Sequence, residues 1–264
     1  MDRRNVMGFA TAAAFLAASP IVRAATASQT FVLVHGAFHG GWCWARVAQL
    51  LRADGHQVFT PTFTGLGERA HFMSPNVDLN TFVRDIASVI ESEELTNVVL
   101  VGHSYGGYVI TGAADLVPDR IASLVYLDAG LLAGSGATVD AELTEEGRGA
   151  RLRSAVVVNG TNIIMPPPAT VFGVVQPDQV SWVNRQMKPM PLKAYTTPLV
   201  LKSSIYGVAP KTFIRCTKPA IAIPQVGSGA RFAQANGWKY KEIATGHDAM
   251  VSAPQELTKM LLEG

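Results

Sequence analysis

The chain predicts an α/β fold, a mainly parallel sheet flanked by helices, and three observations carry that prediction. Residues 31–34 and 98–101 are unbroken apolar runs rich in β-branched side chains, the pattern of strands buried on both faces of a parallel sheet, and 121–127 reads as a further strand. Segments with apolar residues at helical spacing lie between them, with no hairpin signal, so right-handed crossovers are expected. The length, 264 residues of which 48% are hydrophobic, suits one sizeable core with an insertion.

In chain order, residues 1–27 come first. Arg3 and Arg4 precede an apolar stretch over 6–18, and small residues close the segment around Ala24 and Ala27. This is the layout of a signal peptide, too short in its apolar part for a membrane span. The twin arginine followed by Asn5-Val6-Met7 fits a bacterial Tat leader, so export to the periplasm or the medium is expected, with no stable membrane insertion once the leader is gone. A cut after Ala24 removes Arg3, Arg4, Arg23 and Asp2, which turns a formal charge of +2 into neutrality.

The first strand, 31–34, runs into His35-Gly36-Ala37-Phe38-His39-Gly40-Gly41-Trp42. A glycine-rich loop leaving a parallel strand bares backbone N–H groups at the carboxyl edge of the sheet, where such folds bind ligands. It is the expected seat of an oxyanion hole. A helix over 42–53 ends at Asp54-Gly55, a strand follows at 57–60, and Glu68 and Arg69 read as solvated charges on the loop after it. A second helix is expected over 79–94, with Asn80 as its cap.

Residues 97–112, Asn-Val-Val-Leu-Val-Gly-His-Ser-Tyr-Gly-Gly-Tyr-Val-Ile-Thr-Gly, organise the rest. Gly102-His103-Ser104-Tyr105-Gly106 fits G-x-S-x-G between an apolar strand and a small-residue helix, the context in which a sharp turn lifts a serine hydroxyl above the sheet. Ser104 is the candidate nucleophile. The oxyanion donors are then the N–H groups of Ala37 and of Tyr105, the residue after the serine.

The next strand ends at Asp128, and the alternation then lapses over 131–210. Polar turns, Pro166-Pro167-Pro168 and scattered aromatics and methionines read as a mostly helical cap inserted over the site, with the core formed by 28–130 and 211–264. Phe38, His39, Phe172 and Trp182 are the candidates to line an apolar substrate pocket. Strands resume at 211–216 and 239–243, and His247 follows on a loop before a last helix over 254–262, for which Ser252 is the expected cap. His247 is the candidate general base.

A serine needs an imidazole to take its proton, and the imidazole needs a carboxylate to fix its tautomer. The usual position, the loop after residue 216, offers none, because residues 215–241 contain no Asp or Glu. The carboxyl end of the strand beside the nucleophile strand offers Asp128, which becomes the candidate acid. Asp248 adjoins His247 and is badly placed to reach back to its ring.

Composition excludes other classes. Charged residues are 16% with no basic cluster, so nucleic acid has nothing to bind. Of the six histidines only His35 and His39 are four apart, and a glycine loop separates them, so no metal site is expected. Cys43 and Cys216, the two cysteines, are able to pair in an exported protein, though no spacing rule links them.

The strand 31–34 with His35-Gly36-Ala37 and His39-Gly40-Gly41-Trp42, the Gly102 to Gly107 turn and Gly246-His247-Asp248 resemble the α/β-hydrolase superfamily. The likeness is to its branch of plant methylesterases, hydroxynitrile lyases and bacterial esterases. The resemblance implies a cofactor-free serine hydrolase with Ser104 as nucleophile and His247 as base, acting on a small or medium carboxylic ester. Many relatives carry an acid near Lys218-Pro219-Ala220, where this chain has none. The lyases of the branch rely on a threonine and a lysine at positions that here resemble Gly36 and Asp248, which turns the reading toward ester hydrolysis. A lyase and a non-hydrolytic small-molecule binder on the same fold stay open as alternatives.

Overall fold

The computed structural model describes residues 28–203, 206–207, 209–219 and 223–263. The expected leader over 1–27 lies outside them. Six strands form one all-parallel sheet in the order β2 (Gln57–Phe59), β1 (Thr30–Val34), β3 (Val98–His103), β4 (Ile121–Leu127), β8 (Lys211–Cys216), β9 (Lys239–Ile243). In chain order its first half is β1 (Thr30–Val34), α1 (Ala45–Ala53), β2 (Gln57–Phe59), α2 (Leu79–Ser92), β3 (Val98–His103), α3 (Gly106–Leu116) and β4 (Ile121–Leu127).

These elements form for local reasons. Phe31 to Val34 and the whole of β3 are buried, as the apolar runs require. A short 3-10 turn, Gly41–Trp44, leads into α1. Helix α2 starts at the expected residue, but its cap lies two residues before the expected one: Asp78, not Asn80, accepts from Thr81 N at 3.0 Å, and the Thr81 hydroxyl answers the Asp78 N–H to complete a capping box. Asn80 already lies inside the helix, so its side chain has no terminal N–H to take.

Between β4 and β8 the chain leaves the sheet. It forms α4 (Glu145–Ser154), β5 (Val156–Val158), β6 (Thr161–Ile164), α5 (Pro177–Gln186), β7 (Met190–Pro191) and α6 (Lys193–Thr196). Helical turns dominate, but β5, β6 and β7 make a three-stranded antiparallel sheet that a helical cap did not lead one to expect. Its first hairpin turns at Asn159-Gly160, both at positive φ (48° and 76°), the conformation of a two-residue primed turn.

The chain returns through β8 (Lys211–Cys216), α7 (Pro224–Ala235), β9 (Lys239–Ile243), α8 (Ala249–Ser252) and α9 (Pro254–Leu262). Ser252 does not cap α9: its hydroxyl is taken by the Asp248 carbonyl at 3.1 Å and by Thr245 at 2.6 Å, and Ala253 stands at the N-cap. Helix α2 packs on α3, and α1 packs on α8 and α9. Among the described residues no helix is long and apolar enough to cross a membrane.

The register aligns the strand ends. Val34 lies beside Gly102, His103 beside Leu127, Leu127 beside Ile214, and Cys216 beside Ile243. The loops at His35, Ser104, Asp128 and His247 therefore open along one edge. The segment above the sheet docks onto that edge by backbone contact: Gly173, at φ 74°, sits so close to Gly246 that a Cβ on it would lie 2.8 Å from the Gly246 Cα.

Candidate functional site

Ser104 occupies the turn between β3 and α3 with φ at 52°, a left-handed conformation that a non-glycine residue keeps only where its surroundings enforce it. They do so here through three backbone hydrogen bonds: Ser104 N to Leu127 O, and Gly107 N and Gly130 N to Ser104 O, each 3.1 Å. Gly106 permits the sharp exit, since a Cβ there would lie 2.7 Å from the His35 carbonyl. Ser104 is only partly buried, so its hydroxyl stays accessible.

Asp128 stands one residue past β4, also at positive φ (42°), and is completely buried. A carboxylate there must be fully partnered. Its Oδ1 accepts from Arg215 Nη1 at 2.6 Å and from Cys216 N at 3.1 Å, and its Oδ2 accepts from His247 Nδ1 at 2.7 Å. The structure thus brings Asp128 and His247 together across 119 residues. Arg215 escapes the sequence reading, because a basic residue inside a strand reads as an exposed edge charge until the neighbouring strand supplies its acid.

His247 is held through both its backbone and its ring. Its carbonyl accepts from His103 Nε2 at 3.0 Å, its ring lies 4.5 Å from that of His103 and 6.0 Å from that of Phe172, and Nδ1 is spent on Asp128. Its Nε2 has no hydrogen-bond partner, and no hydrogen bond joins it to the Ser104 hydroxyl. Catalytic hydrogen bonds are commonly long in an unliganded site and tighten with substrate.

Neither Ala37 N nor Tyr105 N donates a hydrogen bond among the described residues, so both are free to meet a negative oxygen. Ala37 and Tyr105 line, with Ser104, a cavity of about 290 Å³. Phe38 from the loop after β1 and Phe172 from the segment between β4 and β8 close over it, and α7 contributes its first turn. Tyr195, one of the scattered aromatics of the inserted segment, and Arg151, which carries no signal in the sequence, also reach it. The Arg151 guanidinium lies 4.1 Å over the Tyr195 ring and pairs with Asp140. Tyr108 adds a buried hydroxyl without a protein partner.

Two expected pocket residues are elsewhere. Trp182 packs edge-on against Trp42, ring centroids 5.1 Å apart, and does not line the cavity. His39 turns away from it, stacks on Trp42 and directs Nε2 to Asp248 Oδ2 at 3.0 Å. That contact also explains why Asp248 leaves His247 to Asp128. Burial opposes a charge on His39, but the Asp248 carboxylate and the Ala37 carbonyl outweigh it and raise the imidazole above its ordinary value. Burial wins at His35 and His103, lowering His35 to about 3 and His103 well below the usual range. Cys43 and Cys216 are free buried thiols, both pushed up by desolvation. Among the described residues no group of side chains is arranged to hold a metal ion.

Residues 31–259 match the Alpha/beta hydrolase family. The chain is 40% identical over 242 residues to a carbendazim hydrolyzing esterase of a Nocardioides species, a match that covers 88% of this chain and 97% of that one. It is 28% identical over 246 residues to putative methylesterase 11, chloroplastic, of Arabidopsis thaliana, covering 88% of this chain and 63% of that protein. Among solved structures it superposes with a TM-score of 0.74 and 25% identity on an extracellular α/β-hydrolase from a Paenibacillus species, described as sharing structural and functional homology with tobacco salicylic acid binding protein 2. That alignment covers 89% of this chain and 98% of that one.

Proposed function

Since the chain belongs to the Alpha/beta hydrolase family and is a carboxylic ester hydrolase, we propose that it cleaves a small or medium ester through an acyl-enzyme on Ser104. The observation that carries this reading is the Asp128–His247 pair, which spends Nδ1 and leaves Nε2 free at the sheet edge that holds Ser104. His247 takes the Ser104 proton as Oγ attacks the ester carbonyl, and the N–H groups of Ala37 and Tyr105 receive the oxyanion. The tetrahedral adduct collapses as His247 returns the proton to the leaving alcohol. Water, deprotonated by the same imidazole, then frees the acid and restores the serine.

The apolar walls from Phe38, Val171 and Phe172 favour an alkyl or aromatic portion in the substrate. The test is turnover of p-nitrophenyl acetate, p-nitrophenyl butyrate and carbendazim. Wild type is expected to hydrolyse at least one of them and Ser104→Ala none; an active Ser104→Ala variant refutes the acyl-enzyme.

Export by the Tat route is part of the proposal and rests on Arg3-Arg4 and the apolar run after them. Arg3→Lys/Arg4→Lys is expected to hold the enzyme in the cytoplasmic fraction of a bacterial host. Unchanged export of that variant refutes the route.

A further inference from the structure

We propose that His39 and Asp248 form a positioning strut that holds the oxyanion-hole loop and the general-base loop in fixed relation to each other. The proposal rests on the roles given above to Ser104 and His247. His39 belongs to the loop that carries Ala37, and Asp248 directly follows His247; the two are 209 residues apart in the chain and both are buried.

Both contacts of the His39 ring require a hydrogen. His39 Nδ1 lies 2.7 Å from the Ala37 carbonyl oxygen, which can only accept, so Nδ1 carries a hydrogen. His39 Nε2 lies 3.0 Å from Asp248 Oδ2, and one of those two atoms must supply a hydrogen as well. The pair therefore holds one proton more than a neutral imidazole beside a carboxylate would. With His39 raised above the ordinary histidine value, that proton rests on the ring, and the contact is an imidazolium donating to a carboxylate. One ring thus grips a carbonyl of the oxyanion loop with one nitrogen and the base loop with the other.

Each end is anchored. Asp248 N donates to Phe172 O at 3.2 Å, and the Asp248 carbonyl accepts from Val251 N and from the Ser252 hydroxyl. On the other loop, Lys188 N donates to Phe38 O at 2.8 Å. The ring itself lies flat against Trp42 and edge-on to Phe172.

The titratable neighbours leave the charge to His39. His103 Nε2 is 3.8 Å from Asp248 Oδ1, but it donates to the His247 carbonyl and burial keeps the ring neutral. His35, which feels His39, donates from Nδ1 to Gly36 O and accepts at Nε2 from Phe63 N, a neutral ring with both atoms used. The thiols of Cys43 and Cys216, which feel Asp248, are held protonated by burial. His247 spends its Nδ1 hydrogen on Asp128.

A sign follows for pH. A raised imidazole gives its full contribution below the ordinary histidine value and loses it as pH climbs through its own, higher one. Without the second proton, two electron-rich atoms face each other at 3.0 Å and the strut opens. An amide at position 248 donates to a neutral His39 Nε2 instead, so the contact then survives at every pH.

The test is kcat and KM for p-nitrophenyl butyrate across the pH range for wild type, Asp248→Ala, His39→Phe and Asp248→Asn, with Ser104→Ala beside them. Asp248→Ala and His39→Phe are expected to lower kcat by about 10- to 100-fold while KM changes less than about threefold, since alignment and not binding is lost. Asp248→Asn is expected to stay within about threefold of wild type near neutrality and to be free of the alkaline fall that wild type shows. Wild-type kcat in folded Asp248→Ala or His39→Phe overturns the strut, as do superimposable pH profiles for wild type and Asp248→Asn. Should Asp248→Ala fail to fold, His39→Phe, which keeps a ring between Trp42 and Phe172, decides the matter. Turnover by Ser104→Ala refutes the underlying serine mechanism; a dead Ser104→Ala with unaffected strut variants refutes the strut alone.

Discussion

Two histidine–aspartate pairs lie side by side in this protein and differ in what they leave over. In one, Asp128 takes three donors and His247 keeps Nε2 without a partner. In the other, His39 uses both nitrogens, and the leftover atom is a carboxylate oxygen, Asp248 Oδ1, with no hydrogen bond of its own. Both pairs are buried, so burial does not separate them. A histidine becomes a base where the fold satisfies one nitrogen and withholds a partner from the other; with both satisfied it becomes a brace.

The strongest way to break that contrast is to disturb the first pair. Asp128→Asn turns an acceptor toward Nδ1 into an amide that also donates, which favours the wrong imidazole tautomer. A loss of about 10⁴ in kcat is expected, as for a triad acid in serine hydrolases generally. A variant within tenfold of wild type removes Asp128 from the mechanism.

His35 sharpens the contrast from a third side, with both nitrogens used and no carboxylate near enough to charge it. Its value in the fold, about 3, is below that of an unfolded histidine. Its contribution to stability is therefore complete above about pH 6.5 and lost as pH falls from there toward 3. The urea midpoint is expected to decline across that window and to decline less in His35→Gln. Parallel declines would show that His35 carries none of the acid sensitivity.

Arg215 tests whether the first pair needs its outer support. Arg215→Met leaves Asp128 with Cys216 N and His247 only, and a buried carboxylate that loses a charged partner destabilises the fold by about 3 kcal/mol. The same change is expected to lower kcat by less than tenfold, because the His247 contact survives. Chemical denaturation and turnover on one preparation separate the two effects.

The smallest effect is expected at Tyr108, whose hydroxyl is buried beside the cavity without a protein partner. Removing an unsatisfied group relieves its desolvation, so Tyr108→Phe is expected to leave stability unchanged or raise it by up to about 1 kcal/mol. A clear loss of Tm would mean that the hydroxyl is partnered in solution.

Much of this was legible in the residues. The apolar runs at 31–34 and 98–101 announce strands buried on both faces, 121–127 joins them as a strand buried from Leu124 onward, and the all-parallel sheet follows from the helical segments between them. Asp128 emerges from a gap, the lack of any acid over 215–241, and the side chain indeed meets His247. The β5–β6 hairpin carried its own signal, Asn159-Gly160 between Val156-Val157-Val158 and Thr161-Asn162-Ile163-Ile164, which the surrounding irregular composition masked. His39 and Arg215 were not legible as partners. Spacing along a chain describes one helix face or one strand face, and contacts across 209 and 87 residues depend on the finished register of the sheet.

The most direct measurement is the rate and site of labelling by diethyl p-nitrophenyl phosphate, which phosphorylates a serine only if a base has activated it. Wild type is expected to release one p-nitrophenol per chain with the label on Ser104, His247→Ala to slow this by at least about 10³-fold, and His39→Phe by no more than about 100-fold. A label on another residue, or labelling of His247→Ala at the wild-type rate, contradicts the account.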